Sequence, residues 1–201
     1  MLIPPLHLLL LAAGQSRRMA PDDKLLLSIN GKPMIRRVAE TALATGLPLS
    51  VVLSPRHPDR AIALRGLGLT QITLPDDSPS GMAISLRHGL TAIAPDSAVM
   101  VILGDQPDLT TADLLRVIEQ WQLQPHRIHR GGTGTGKPGH PVILPAQLRP
   151  ALAQLDGDSG ARDIIAAAPE HPILVLLPAQ NALVDIDTPE DWQNWREQNP
   201  I

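Results

Sequence analysis

The 201-residue chain contains no cysteine, no phenylalanine and no tyrosine. Without thiols it can form no disulfide, no zinc–thiolate centre and no cysteine nucleophile. Three tryptophans are its whole aromatic content, so it has no platform on which successive bases of a single strand could stack. Charge of one sign is also lacking: 17 Lys and Arg stand against 20 Asp and Glu, for a net charge of −3. That balance argues against nucleic acid as a partner, because phosphate backbones are bound through a large cationic surplus. No stretch approaches the roughly 20 apolar residues of a membrane span. The apolar amino terminus is short and has no basic region ahead of it, unlike a secretory leader. A cytoplasmic protein with no membrane or nucleic-acid partner is the expectation.

Hydrophobic residues make up 43% of the chain, enough for a real but aliphatic core. Short apolar runs at residues 6–13, 49–53, 71–74 and 98–103 read as strands. Between them lie helical patterns: Met34, Ile35, Val38 and Ala42 share one face, Met82, Leu86, Leu90 and Ile93 another, and Leu114, Ile118 and Trp121 a third. A further short helix is expected around residues 59–65. Pro33 suits a first helical position, and Ser80, Thr110 and Asp158 suit N-caps. Regular alternation of strand and helix predicts an α/β fold, Rossmann-like, with a mostly parallel sheet covered by helices on both faces. Residues 122–140 break the pattern and read as a strand–loop insertion over the sheet edge. Strands follow at 141–144, 173–177 and 183–186, with a helix at 147–155 and a last helix opened by Thr188–Pro189. No repeat or linker divides residues 1–201, so one domain is expected.

The stretch 6–24, LHLLLLAAGQSRRMAPDDK, organises the rest. A buried strand breaks at Gly14 into a loop carrying Arg17, Arg18 and Lys24. Ligands of open α/β sheets bind at the carboxyl ends of strands, and three cations there in an acidic chain point to an anionic ligand. Asp105 follows the strand at 98–103 directly, with Pro107 preventing its continuation. A carboxylate so placed either caps a turn or anchors Mg²⁺, which binds through one or two carboxylates and substrate phosphates. Asp185 and Asp187, in VDIDTP, repeat the setting.

Two nucleotide motifs are imitated within GGTGTGKPGH, residues 131–140. Gly131 to Lys137 fits G-x-x-x-x-G-K, but Pro138 replaces the hydroxyl that would hold magnesium. Gly134, Gly136 and Gly139 fit G-x-G-x-x-G, yet no helix can open at His140–Pro141. Both readings fail on context, leaving a glycine loop that is either a plain connection or a lid. No serine sits in a G-x-S-x-G elbow. The histidines show no metal-ligand spacing. His7 reads as packed or edge-facing and His57, His88, His126, His129 and His171 as surface positions. His140, beside the glycine loop, is the exception.

Taken together, LLAAGQSRRMAPDDK, NGKP, SGMAISLRHGL, VILGDQPDLT, GKPGHPVIL, GDSGAR and DIDTPEDW resemble the nucleotidyltransferases that make dinucleotide forms of the molybdenum cofactor, and most nearly its cytidylyltransferases. The resemblance spans nearly the whole chain in family order. It implies Mg²⁺-dependent transfer of CMP from CTP to the phosphate of molybdopterin (the molybdenum cofactor), with release of pyrophosphate. It also implies that Ala12, Ala13 and Gly14 lie against the nucleotide, that Arg18 and Lys24 hold its triphosphate, and that Asp105 and Asp187 bind the metal. Ser80 and Gly81 match the base-recognition segment. Residues 136–141, with His140, and residues 158–162 match the part facing the pterin. Arg18, Lys24 and Asp105 are then the catalytic set. Family loops read Arg-Met-Gly where this chain has Ala20. A recipient molybdoenzyme, or its chaperone, is the implied partner. Three other readings stand beside this one: a guanylyltransferase on the same cofactor, a nucleotidyltransferase on another phosphorylated metabolite, and a non-catalytic carrier. A first loop with Ala13 where guanylyl-transferring relatives carry Gly favours CTP over GTP.

Overall fold

A computed structural model describes residues 3–79, 81–155 and 161–199. The chain begins with β1 (Leu6–Ala12), crosses the site loop, and makes a small hairpin of β2 (Ser28–Ile29) and β3 (Lys32–Pro33). Then follow α1 (Met34–Leu43), β4 (Leu49–Leu53), α2 (Pro58–Ala63), β5 (Thr70–Thr73), α3 (Met82–Thr91), β6 (Ala98–Leu103) and α4 (Thr111–Leu123). The second half holds β7 (His129–Gly132), β8 (Pro138–Leu144), α5 (Arg149–Leu152), α6 (Arg162–Ala166), β9 (Ile173–Leu176) and α7 (Pro189–Gln198). Seven strands form one sheet in the order β5-β4-β1-β6-β8-β7-β9. Strands β5, β4, β1 and β6 are parallel neighbours, β8 runs antiparallel to β6 and β7, and β9 is parallel to β7.

Alternation along β1 explains the two layers. Leu6, Leu8, Leu10 and Ala12 pack with Ile35, Val38 and Ala42 of α1 and Val117 and Trp121 of α4. Leu9 and Leu11 point the other way, onto Leu86 and Leu90 of α3. Successive strand residues face opposite sides, so a strand buried on both faces must be apolar throughout, and β1 nearly is. Each fully buried leucine stabilises by roughly 1.5–3 kcal/mol relative to exposure. Gly89 of α3 is required here, because a β-carbon would stand 2.6 Å from a Leu9 methyl. Helices α4 and α7 each open with a capping box, Thr110 with Asp113 and Thr188 with Asp191.

Several expectations need correction. Residues 183–186 are not a strand: they run irregularly, and Ile186 N donates to Asp105 O (3.0 Å) while Ala182 O accepts from His140 N (2.9 Å). The segment is held by bonds to strand ends, not by a ladder, which an apolar pattern cannot distinguish. Pro33 pairs within the hairpin and stands one residue ahead of the helix. The helix at 147–155 shortens to a 3-10 turn (Ala146–Leu148) and α5. The 122–140 stretch is no insertion over the edge: β7 is an inner strand between β8 and β9. His129 is consequently fully buried, not a surface residue. Helix α3 is preceded by Gly81 as its N-cap; Ser80 and Asp158 lie outside the described residues. Met82, expected on the buried face of α3, is 39% exposed. Among the described residues no helix is long and apolar enough to cross a membrane.

Candidate active site

Strands β1 and β6 are paired to their carboxyl ends, Leu11 opposite Leu103, so the segments that follow them enter one crevice. Gly104 N donates to Leu11 O at 3.1 Å, and a side chain at Gly104 would meet that oxygen at 3.3 Å. Beyond β1 the loop folds back on itself. Ser16 takes a left-handed conformation (φ 50°), and its Oγ accepts from Lys24 N at 2.8 Å. Asp23 caps the turn Lys24–Leu26 by accepting from Leu25 N at 3.0 Å. Ala20 has φ −53° and ψ 136°, a conformation any residue adopts, so the loop does not need a glycine at this position.

From beneath, Arg60 of α2 fastens the loop at both ends. Its side chain is 0% exposed. Nε and Nη2 donate to the Asp23 carboxylate at 2.7 and 2.8 Å, and Nη1 donates to Ala12 O at 2.8 Å and Gly14 O at 2.7 Å. The planar fork of an arginine suits this fourfold task. Sequence reasoning missed Arg60 because it lies in a short polar helix, HPDRAIA, whose pattern shows no sign that one arginine turns inward.

At the centre, Lys24 Nζ lies 2.6 Å from Asp105 Oδ2 and 2.6 Å from Asp187 Oδ1. Arg18 Nη2 donates to Asp187 Oδ2 at 2.6 Å. The structure thus joins four residues expected to work together, from three separate segments. Burial alone would lower the Lys24 pKa, but the Asp105 and Asp187 carboxylates outweigh it and hold the ammonium above its ordinary value. Burial likewise works against ionised Asp187, and Lys24 and Arg18 reverse it, leaving the carboxyl below the usual range. Asp185 goes the other way, pushed up by burial and by its acidic neighbours Asp105 and Asp187. Arg18 is 66% exposed at its side chain, so its pair with Asp187 is worth no more than about 1 kcal/mol.

Asp105 Oδ1 is buried without a hydrogen-bond partner. An orphaned carboxylate oxygen carries a desolvation cost that calls for an explanation, and a divalent cation supplies one. The donors fit a hard ion such as Mg²⁺ or Mn²⁺, which takes one or two carboxylates and completes its shell from water and phosphate. Among the described residues no group of three or more His, Asp or Glu side chains could hold a metal ion by itself, so a cation beside Asp105 would complete its shell from water and phosphate.

A cavity of about 370 Å³ opens over this group, walled by Ala12, Ala13, Gly14, Lys24, Gly81 and Asp105. Arg17 and Arg56 also reach that wall, whereas Arg18 spends its guanidinium on Asp187. Arg17 was expected in the cationic loop, whereas Arg56 was not singled out from sequence. A second cavity, of about 510 Å³, adjoins the first and shares Leu11 and Met82 with it. His140 lines this second space, apart from Lys24 and Asp105. Burial, and then the neighbouring Arg130, lower its pKa to about 4, so it is neutral at physiological pH. The glycine stretch Gly131–Lys137 is the end of β7 and a tight turn closed by Gly136 N on Thr133 O (2.9 Å) and Thr133 N on Lys137 O (2.9 Å). No helix follows, and neither phosphate motif is real.

The MobA-like NTP transferase domain matches residues 8–173, which include the cationic loop after β1 and Asp105 after β6. The chain belongs to that family. It is similar to the nicotine blue oxidoreductase of Paenarthrobacter nicotinovorans, 30% identical over 188 residues that cover 90% of this chain and 91% of that protein. It is equally similar to a probable molybdenum cofactor guanylyltransferase of Synechococcus elongatus, 31% identical over 194 residues, 92% of this chain and 95% of that one. Among solved structures, Rv0371c of Mycobacterium tuberculosis H37Rv shares the fold with a TM-score of 0.84 at 24% identity, covering 98% of this chain and 100% of that one. The same protein has been solved with manganese (TM-score 0.80, 22% identity, again 98% and 100%).

Proposed function

We propose that this NTP transferase-domain protein moves a nucleoside monophosphate from an NTP to the phosphate of a molybdenum cofactor. One observation carries the reading: Lys24 lies between Asp105 and Asp187, at 2.6 Å from each, on the wall of a cavity at the carboxyl ends of β1 and β6. An oxygen of the acceptor phosphate attacks the α-phosphorus, the new P–O bond forms, and the bond to the β-phosphate oxygen breaks as pyrophosphate leaves. The acceptor supplies the nucleophile, so the protein has to align two anions and neutralise charge. Lys24 and the loop cations do this for the triphosphate. Asp105 and Asp187 would hold a divalent ion, which would add to the charge neutralisation at the phosphates. A carrier that only bound nucleotide would need no such cation between paired carboxylates.

The relative named molybdenum cofactor guanylyltransferase supports GTP as donor. CTP, the donor expected from sequence, is favoured by one feature alone: half-buried Ala13 puts a methyl group on the cavity wall. A purine needs more room there than a pyrimidine, and a methyl-sized clash is worth about 1–3 kcal/mol. GTP is the donor proposed first, on the name of that relative, and CTP second, on Ala13. The relative named an oxidoreductase widens what this family does, and the transferase reading rests on the Lys24–carboxylate arrangement. The test is pyrophosphate release from each of four NTPs, with and without molybdopterin. Acceptor-dependent release from GTP or CTP supports the proposal, and release from none of the four refutes it.

A further inference from the structure

Asp105 and Asp187 belong to segments that no sheet ladder joins. Asp105 stands just beyond the end of β6, and Asp187 stands in the irregular stretch ahead of α7. Two hydrogen bonds connect these segments. One is backbone: Ile186 N donates to Asp105 O at 3.0 Å. The other is made by side chains: the indole Nε1 of Trp195 donates to Asp108 Oδ1 at 2.7 Å, across 87 residues of sequence. Asp187 is also tied to the helix it precedes. Its N–H donates at 3.2 Å to Asp191 Oδ2, the oxygen that accepts from Thr188 N and Thr188 Oγ1 in the capping box of α7. Contacts therefore run from Asp187 through the first turn of α7 to Trp195, and from Trp195 to the loop that carries Asp105.

Packing alone does not account for the Trp195 bond. The ring is buried in a cluster with Ile29, Met34 and Ile186, and Trp192 stacks on it with centroids 5.5 Å apart and planes at 9°. So held, the indole points its N–H in one direction. A buried indole needs an acceptor, which any nearby carbonyl could supply. Here the acceptor is a carboxylate three residues from Asp105, and a carboxylate makes the shorter and stronger bond. A shift of α7 away from Asp108 would carry Asp187 with it, through Asp191. Small displacements matter at this place, because Mg²⁺ tolerates little departure from octahedral geometry. We propose that Trp195 and Asp108 are a positioning pair, which sets the spacing of the Asp105 and Asp187 carboxylates for a divalent ion. This rests on the metal-binding role proposed for those two aspartates. Neither member of the pair is on the wall of the nucleotide cavity, so their effect falls on the ion and not on the nucleotide.

The probe is Mn²⁺, titrated with no acceptor present into protein saturated with whichever of GTP and CTP binds it more tightly. Water-proton relaxation follows the titration and separates protein-bound from nucleotide-bound ion. The wild type should bind Mn²⁺ saturably, and Asp105→Asn should lose that binding. Asp108→Ala deletes the acceptor, and Trp195→Phe deletes the donor while keeping an aromatic ring. Each should raise the Mn²⁺ midpoint roughly tenfold or more, as expected when a metal ligand loses its support, with metal-free nucleotide affinity within about twofold of wild type. Asp108→Asn keeps an oxygen to accept the bond and should retain the wild-type midpoint. The double variant, Asp108→Ala with Trp195→Phe, should lose no more than either single one, as for two halves of one contact. A merely structural role would lower the thermal midpoint and leave the Mn²⁺ midpoint alone. A wild-type Mn²⁺ midpoint in Asp108→Ala, or additive losses in the double variant, overturns the pair and leaves the metal role of the aspartates standing. Mn²⁺ binding that survives Asp105→Asn, or no binding by the wild type, overturns both.

Discussion

Arg60 and Asp23 form a two-pronged ion pair beneath the site loop, at 2.7 and 2.8 Å, with the arginine wholly buried and the aspartate nearly so. The same guanidinium holds the carbonyls of Ala12 and Gly14, so one side chain connects the end of β1 to the residue before Lys24. Removing one partner of such a pair leaves the other charge buried. Arg60→Met should therefore cost about 3–5 kcal/mol of folding stability, measured by chemical denaturation. In protein that remains folded, NTP affinity should fall at least tenfold, because the loop loses the side chain that joins Ala12 and Gly14 to Asp23. Unchanged affinity in folded Arg60→Met would show that the loop keeps its shape without this anchor.

The strands and their order of appearance were legible because β1, β4 and β6 are short apolar runs bounded by polar loops, and buried parallel strands have no other reason to be so uniform. Lys24, Asp105 and Asp187 were legible because each sits directly beyond or near such a run. Three things were not. Arg60 is hidden in a polar helix, and burial of a single cation leaves no period in the sequence. His129 read as a surface residue because nothing in HRIHRGG says that β9 will cover β7 from the other side. Residues 183–186 alternate like a strand, yet Leu183 and Val184 bond back to Gln180 and Ile186 to Asp105, an arrangement that local pattern does not encode.

Lys24 neutralises two carboxylates at once. Lys24→Met leaves Asp105 and Asp187 facing each other without the ammonium, and the transfer rate should fall on the order of 10²–10³-fold, as expected for loss of a positioned charge at a phosphoryl-transfer centre. Steady-state pyrophosphate release measures it. A loss below fivefold would mean that the metal and the arginines suffice.

The two loop arginines should differ in kind. Arg17 stands on the nucleotide cavity, with only a 2.6 Å bond from Nε to Gln15 Oε1, whereas Arg18 is engaged by Asp187. Nucleotide titration of Arg17→Ala should show weakened binding with the Mg²⁺ requirement unchanged. Arg18→Ala should instead alter the Mg²⁺ concentration giving half-maximal activity, because it frees an oxygen of Asp187. Identical behaviour in both assays would show that the two arginines act only as a diffuse positive field.

His140 gives the fold a one-sided pH response. Its folded pKa, about 4, lies below the ordinary 6.5. Between these values the unfolded chain takes up a proton that the native chain does not, so stability falls as pH drops from about 6.5 towards 4 and is unaffected above. Full separation of the two pKa values corresponds to about 3 kcal/mol at most. Denaturation midpoints at pH 7.5 and 4.5 should differ less in His140→Asn than in the wild type. Equal slopes in both would place the acid sensitivity elsewhere.

Ala13 sets the balance between donors. Ala13→Gly should improve kcat/KM for GTP relative to CTP by roughly 5–160-fold, the span of about 1–3 kcal/mol. An unchanged ratio would remove the one structural feature that favours CTP.

The most direct measurement is pyrophosphate release by the wild type and by Asp105→Asn, with molybdopterin and Mg²⁺, using GTP and CTP in turn. Release is expected only when nucleotide and acceptor are both present, one nucleotidylated acceptor should form per pyrophosphate, and Asp105→Asn should lose the activity while keeping its thermal midpoint. Release without acceptor, no release with either nucleotide, or full activity in Asp105→Asn would contradict nucleotidyl transfer at this site.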